Sequence, residues 1–313
     1  MSEFDSWPHT TLVDGNLRLV VLLPDPLQGY YRGPRFDWAG TVALAEWGKH
    51  SFFGSWRLPP HRPRANDDTA GTAGEFGMGP ASDSPPPIGY ADAPVGGTFL
   101  KIGVGQVVKI DEPAYHFEAL YRISRPAAWD IRQDEGKISF VQEEGPVRGY
   151  ALRYAKTIEM ERSSASFIVR HTLENTGAHP FAQTHYCHNF LRIDDAPVGP
   201  GTSIELPFDA RLSKTDDGVL VARGRRIELT REPRADEDFF ALVTGYGKTA
   251  EHNAMTVRGR DAAVRISGSD PLYRLQVFGT GRTICPEPFV AIDLAPGKSH
   301  SWTIRYNFTD GGA

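Results

Sequence analysis

Apolar and polar residues alternate with a period of two in segments spread along the chain. These segments are 17–23, 150–158, 167–173, 271–279 and 301–308. Because successive side chains of a strand point to opposite faces of a sheet, the alternation predicts half-buried antiparallel strands. The fold class that it predicts is all-β.

Two local predictions concern the segments around these strands. A clear 3.6-residue period is missing from every segment longer than about ten residues, and the best short helix candidate is the run 40–47, with one or two turns. Between two predicted strands, Glu174-Asn175-Thr176-Gly177 contains residues that tolerate a positive φ. We expect a hairpin turn there.

A stretch rich in Pro, Gly, Asp and Ser interrupts the strand pattern at about 58–97. It contains Pro85-Pro86-Pro87, and proline removes the backbone donor that a central strand needs. A disordered linker is one interpretation. We favour a long loop packed over the sheets, because Glu75 and Phe76 lie between glycines inside it and long loops on a β scaffold often carry binding residues. We expect one domain over residues 1–313.

Composition fits a folded globule and argues against several classes of protein. Of 313 residues, 40% are hydrophobic and 23% are charged, which allows a sizeable core. A net charge of −5 gives no basic surface for nucleic acid or anionic lipid. The N-terminus lacks the pattern of a signal peptide, and the two cysteines, Cys187 and Cys285, suit a reducing compartment. We expect a cytoplasmic protein with no nucleic-acid or membrane partner.

The densest group of polar and aromatic residues is the run 184–190, at the end of a predicted strand. Alternation puts His185 and Asn189 on one face, and Tyr186 and His188 on the other. A histidine beside aromatic rings is suited to stacking on a sugar while transferring a proton. Either histidine is a candidate acid–base group, and Tyr186 and Asn189 are candidate sugar ligands. A structural role for the histidines is the alternative. A metal site is disfavoured, because structural zinc needs four ligands.

Glu287 is the second candidate. It lies between Pro286 and Pro288, so its backbone is tightly restricted and its side-chain direction is preset. This setting is typical of a positioned general base. The alternative is a solvated glutamate in a surface loop.

The run 30–38 is a third candidate, since it contains Arg32, Arg35 and four aromatic residues. Guanidinium groups donate to hydroxyls and aromatic rings cover the CH faces of a sugar, so the run predicts a saccharide subsite. The alternative is a turn with arginine–aspartate pairing. Glu75 and Lys101 are weaker candidates for substrate binding.

Three elements resemble the galactose mutarotase-like superfamily, which includes the aldose 1-epimerases. Asn175-Thr176-Gly177 with the run 185–191 is similar to the family's Asn-His-Thr-Tyr-Phe-Asn-Leu segment. The run 285–288 is similar to its Glu-Pro segment, and 294–308 is similar to its closing Pro-Gly turn and last strand. The match covers roughly residues 165–310. In the N-terminal half, Gly74-Glu75-Phe76-Gly77 stands where the family has His-Gly.

The resemblance implies a large antiparallel β-sandwich that binds a sugar on its concave face without a cofactor. A histidine would protonate the ring oxygen, and Glu287 would take the proton from the anomeric hydroxyl. Counting back from Asn189 places His185 in the acid position. Spacing from Phe190 and the aromatic face favour His188, which we prefer.

The predicted function is that of an aldose 1-epimerase-like isomerase acting on a small sugar or an oligosaccharide, as a monomer or homodimer. One alternative is a non-catalytic carbohydrate-binding protein, since a fold alone does not fix a function. The other is a glycoside lyase or hydrolase, for which Glu75 and Glu287 are the carboxylates to nominate.

Overall fold

The computed structural model describes residues 2–111, 114–213, 218–234 and 236–311. Over these residues the chain forms four sheets, in which neighbouring strands are antiparallel. The described part also contains three short 3-10 helices, Pro80–Ser82, Ile193–Asp195 and Ala250–His252. No helix in these ranges is long and apolar enough to cross a lipid bilayer.

Two large sheets form the body of the molecule. In spatial order, the larger sheet consists of β16 (Leu220–Arg223), β17 (Arg226–Leu229), β14 (Ser203–Glu205), β19 (Ala254–Arg258), β20 (Ala262–Gly268), β23 (Ser299–Asp310), β12 (Ser166–Asn175), β11 (Tyr150–Met160), β10 (Lys137–Val147) and β9 (Trp129–Asp134). The second sheet consists of β15 (Arg211–Ser213), β18 (Phe239–Thr244), β21 (Arg274–Gly279), β22 (Ile284–Leu294), β13 (Phe181–Cys187) and β5 (Gly74–Phe76).

Two small sheets come from the N-terminal part of the chain. The first consists of β1 (His9–Asp14), β2 (Leu17–Leu22), β3 (Thr41–Trp47) and β4 (His50–Phe52). The second consists of β6 (Thr98–Lys101), β7 (Gly105–Val108) and β8 (Ile123–Pro126).

The two large sheets pack against each other through their apolar faces. Trp302 on β23 donates from its indole nitrogen to Nδ1 of His185 on β13, over 3.1 Å. Phe76 on β5 meets Tyr154 on β11 edge to face, with ring centroids 5.2 Å apart. Burying such faces against each other is the main force that holds a β-sandwich together. The predicted large antiparallel β-sandwich is confirmed.

The predicted alternation of buried and exposed residues is present in β12. Phe167, Val169, His171 and Leu173 are buried along β12, as predicted, and their polar neighbours Arg170, Thr172 and Glu174 are more exposed. The period-two pattern therefore identified the strand and its buried face correctly. That the described chain is one domain stays a prediction.

Two local predictions are wrong. The run 40–47 is not helical but forms β3, because pairing with β2 outweighs the short apolar run's weak helical pattern. The turn after Asn175 does not join a hairpin, since β12 and β13 belong to different sheets. Gly177 N–H donates to the side-chain oxygen of Asn175 over 3.0 Å, so the turn carries the chain across the sandwich.

The proline-rich stretch is tied to the second large sheet. Within it, β5 pairs with β13 in the register His185 to Phe76 and Tyr186 to Glu75. Further on, the side chain of Gln183 donates to the carbonyl of Pro86 over 2.8 Å. These contacts bring Glu75 beside the run 184–190.

Candidate functional site

A cleft with a volume of about 710 Å³ contains the predicted proton-transfer residues. Strand β21 contributes Arg274, Gln276 and Phe278 to its lining, and β22 contributes Glu287. Other lining residues come from distant parts of the chain: Arg35, Phe36, Trp56, Arg57, Phe117, His188, Phe190 and Asp238.

His188 and Glu287 lie side by side in this cleft. Nδ1 of His188 is 2.9 Å from Oε1 of Glu287, and the two side chains are 8% and 2% exposed. The distance is that of an ion pair, but the two atoms are not aligned as a hydrogen bond, and neither has a hydrogen-bond partner among the described residues. Two buried polar atoms at this point of the cleft are therefore without an aligned hydrogen bond.

Glu287 is held by a row of polar side chains on β21. It lies opposite Gln276 in the strand register, and Gln276 Nε2 donates to Glu287 Oε2 over 2.5 Å. Arg274 Nε donates to Gln276 Oε1 over 2.9 Å and pairs through Nη1 with Asp83 at 2.9 Å. One carboxylate oxygen of Glu287 is thus fixed by protein, and the other points to His188.

The backbone after β13 sets the orientation of the His188 side chain. Its amide donates to the carbonyl of Ala73 over 2.8 Å. The next residue, Asn189, has a φ of 54°, a left-handed conformation that asparagine tolerates better than most residues. Asn189 is fully buried and donates to the Pro286 carbonyl over 2.9 Å, while Tyr306 donates to it over 2.7 Å. Asn189 thus ties the end of β13 to β22 and has no free polar group for a sugar.

Aromatic rings surround His188. Phe190 stacks on its imidazole with centroids 4.1 Å apart, and Phe278 meets it edge-on at 5.2 Å. Phe36 approaches at 5.8 Å, and Trp56 stacks on Phe190 at 5.7 Å. The prediction that His188 faces an aromatic surface therefore fits its position.

Arg35 enters the cleft from a buried charged cluster. Its Nε donates to Glu75 Oε2 over 2.8 Å, and Tyr186 donates to the same oxygen over 2.6 Å. Although burial disfavours a charged guanidinium, Glu75 holds the pKa of Arg35 above its usual range. Burial also raises the pKa of Tyr186 well above its usual value, so its hydroxyl stays a donor.

Lys101 completes this cluster below the cleft. Its Nζ donates to the Phe76 carbonyl over 2.5 Å and lies 3.6 Å from Glu75 Oε1. Burial lowers its pKa to about 8, although Glu75 opposes the shift. Glu75 is fully buried, and neither Glu75, Lys101 nor Tyr186 lines the cleft. These three therefore lie behind Arg35 and outside the lining of the cleft.

Two other predicted residues lie away from the cleft. His185 is buried between the sheets, where its ring packs 4.6 Å from His171 and 4.5 Å from Phe76. Burial lowers its pKa well below the usual value, which keeps it neutral. Arg32 donates to the carbonyl of Leu27 in its own loop. The structure brings His188, and not His185, to Glu287.

The sequence predictions did not include several residues that line the cleft. Arg274 and Gln276 lie on one face of a predicted strand together with Phe278, so a polar pair on an apolar face was the available signal. Trp56 and Arg57 join an aromatic ring to a guanidinium, as does the run 30–38. For Asp238 no local pattern distinguishes it from a solvated aspartate. Partial burial raises the pKa of Asp238; nearby Arg57 opposes the shift and Asp67 adds to it.

Comparisons with known proteins identify the fold. Three similar solved structures are a galactose mutarotase-like protein from Lactobacillus casei, a galactose mutarotase related enzyme from Lactobacillus acidophilus and an aldose epimerase homologue from C. elegans. Their TM-scores are 0.54, 0.59 and 0.57, at identities of 12%, 9% and 14%. The alignments cover 96%, 97% and 97% of this chain and 100%, 98% and 99% of the others.

The sequence itself matches no family model and no curated protein. The likeness is therefore one of three-dimensional structure. This chain has the galactose mutarotase-like fold, and the predicted resemblance is confirmed at that level.

Proposed function

We propose that the cleft binds the hemiacetal end of a sugar and that the protein interconverts its anomers. The observation that carries the proposal is the contact between His188 and Glu287, whose facing nitrogen and oxygen lie 2.9 Å apart without an aligned hydrogen bond. A hemiacetal supplies one donor, the anomeric hydroxyl, and one acceptor, the ring oxygen, on the same carbon. It therefore complements these two atoms, once the two side chains part to admit it.

The proposed reaction uses His188 as general acid and Glu287 as general base. Glu287 takes the proton of the anomeric hydroxyl while protonated His188 gives its proton to the ring oxygen, and the bond from C1 to the ring oxygen breaks. The aldehyde rotates about its bond to C2, and the ring recloses on the other carbonyl face. The reverse proton transfers restore both residues, so no cofactor is consumed.

The lining of the cleft supports a sugar as ligand. Phe36, Phe190 and Phe278 provide apolar surface beside the pair. Arg35 and Gln276 carry donors that suit hydroxyl groups, and each is held in place by a further hydrogen bond.

The test is anomer exchange on a panel of free sugars, followed by NMR magnetisation transfer. We expect the wild type to accelerate exchange of at least one sugar. Glu287→Gln and His188→Gln should each reduce that rate about 10²- to 10⁴-fold, the range for removing a general acid or base. Glu143→Gln, which changes a carboxylate 75% exposed on β10, is the matched control and should not reduce it. If no sugar that binds exchanges faster with wild type than in buffer, the proposal fails.

A non-catalytic carbohydrate-binding protein is the second candidate. The low exposure of Glu287 favours it, since a residue 2% exposed must move before it can accept a proton from a ligand. Binding of a sugar without accelerated exchange would support this candidate. A hydrolase using Glu75 and Glu287 has less support, because Glu75 does not line the cleft. The cytoplasmic location and the monomeric or dimeric state stay predictions.

A further inference from the structure

A second cavity of about 750 Å³ adjoins the cleft. Trp56, Arg57 and Asp238 line both spaces. The residues that line only the second cavity include Leu58, Arg62, Val198, Thr280, Gly281 and Arg282. The shared side chains place the two spaces next to each other.

The junction between the two spaces is lined by partly exposed polar side chains. The guanidinium of Arg57 lies over the Trp56 ring at 4.1 Å and pairs with Asp67 at 2.6 Å. The Arg57 side chain is 35% exposed and lines both spaces. Asp238, an exposed carboxylate, lines the same junction. A donor and an acceptor at one point suit hydroxyl groups, which both donate and accept.

The charge of the second cavity favours a neutral ligand. Its charged lining residues are three arginines and three carboxylates, Arg57, Arg62, Arg282, Glu232, Asp236 and Asp238. Leu58, with 70% of its surface exposed, adds an apolar edge. Balanced charge with one apolar edge fits a neutral sugar ring better than a phosphate or another anion.

The volumes of the two spaces favour a ligand with more than one sugar ring. A pocket of about 300–1,000 Å³ holds a drug-sized ligand, and a single pyranose ring is smaller than such a ligand. A monosaccharide bound at His188 and Glu287 would leave the second cavity empty.

We propose that the second cavity is a saccharide subsite and that the natural ligand is a neutral oligosaccharide with a free reducing end. The reducing-end ring occupies the cleft at His188 and Glu287, and the preceding ring extends past Trp56 into the second cavity. This inference rests on the proposed function, because that function fixes which end of the chain lies at the pair.

Gly281 allows a sharp test. A Cβ placed on Gly281 would meet the Pro233 carbonyl oxygen at 3.7 Å and the Arg234 carbonyl oxygen at 4.0 Å, which is ordinary contact. Gly281→Trp should therefore fill the second cavity without straining the backbone. Gly281→Ala is the matched control, since it adds a carbon without blocking the space.

The experiment measures calorimetric affinity and NMR anomer exchange for reducing disaccharides (maltose, cellobiose, lactose) and for glucose and galactose. We expect at least one disaccharide to bind wild type about tenfold or more tightly than its monosaccharides. Gly281→Trp should abolish that difference and leave the affinity for the monosaccharides within about twofold of the wild-type value. Gly281→Ala should retain the preference for the disaccharide.

Disaccharides that bind no better than monosaccharides, or a preference for the disaccharide that persists in Gly281→Trp, would overturn the subsite. Monosaccharide exchange would continue in both cases, whereas failure of the proposed function would remove exchange for every sugar.

Discussion

The carboxylate of Glu75 is a buried counter-ion for two cations. Arg35 and Lys101 both face it, at 2.8 Å and 3.6 Å, and Glu75 itself is fully buried. From the sequence, glutamate between glycines in a long loop suggested a substrate ligand. What the sequence did not contain was the register that pairs β5 with β13 and so buries the side chain.

Glu75→Gln should therefore destabilise the protein strongly. Removing the negative charge leaves two buried cations without a counter-ion, and breaking a buried pair in this way costs about 3–5 kcal/mol. Urea denaturation of the variant and of Glu118→Gln, which changes an exposed glutamate, would measure the difference. A loss below about 1 kcal/mol for Glu75→Gln would contradict this account of Glu75.

The two histidines also differ in their surroundings. Alternation placed His185 and His188 on opposite faces, and both rings lie against aromatic side chains: Phe190 and Phe278 contact His188, while Phe76 and Trp302 contact His185. Aromatic neighbours alone therefore do not distinguish them. Which face meets Glu287 depends on the opposite sheet: His171 and Trp302 enclose His185 from that side. A single sequence contains no direct record of that packing.

At the scale of elements, one crossing between the two large sheets is fixed by Asn175 at the end of β12. It is fully buried, and its Nδ2 donates to the carbonyls of His179 and Leu294 over 2.9 Å each. Its Oδ1 accepts from Gly177 over 3.0 Å. The sequence correctly marked a turn at this point, but turn residues alone do not tell whether the next strand pairs with the last one or crosses to another sheet.

Asn175→Ala should lower the stability of the protein by weakening this crossing. It leaves buried carbonyls and an amide unpartnered, at a cost of about 2–3 kcal/mol. The exposed neighbour provides the control, since Thr176→Ala removes a side chain from the same turn without breaking these bonds. Thermal and urea unfolding of both variants would measure the effect. Equal stability of the two would show that the side chain of Asn175 does not hold the crossing.

The support of the Glu287 side chain depends on the pairing of β21 with β22. The flanking prolines are visible in the sequence, whereas Gln276 is placed opposite Glu287 only by the register.

Gln276→Leu should remove the hydrogen bond to Glu287 while keeping a side chain of similar size. We expect a slower rate of anomer exchange, with the largest effect on kcat, and Gln276→Glu should not rescue it, because two carboxylates would then repel each other. Unchanged kcat in Gln276→Leu would contradict the positioning role.

At the scale of the whole molecule, the sandwich encloses two histidines that stay neutral. Burial lowers the pKa of His171 and of His185 well below the usual 6.5, and their mutual repulsion and nearby Lys156 lower that of His171 further. The alternation predicted that β12 buries His171, but the pairing of the two rings across the sheets depends on the three-dimensional packing. The alternating segments lie on β2, β11, β12, β21 and β23, whereas most of the other strands and the partners across the core were not predicted.

These histidines make stability depend on pH. A histidine whose pKa is lowered in the folded state takes up its proton on unfolding, so stability falls as the pH drops below about 6.5. Each such proton contributes about 1.4 kcal/mol per pH unit to the slope. His185→Asn should reduce the slope between pH 6 and pH 5 by about that amount, as measured by urea denaturation across pH.

Trp302→Phe is the control for this prediction. It removes the donor to His185 but no titrating group, so it should lower stability while keeping the slope. A slope unchanged in His185→Asn would show that His185 does not take up a proton on unfolding.

The central claim, that a sugar hemiacetal binds against His188 and Glu287, is tested most directly by a crystal structure of Glu287→Gln with the sugar that binds most tightly. We predict the ring oxygen within hydrogen-bond distance, about 3 Å, of the His188 imidazole, and the anomeric hydroxyl within the same distance of residue 287. Electron density for the sugar elsewhere, or with its reducing end turned away from both residues, would contradict the account.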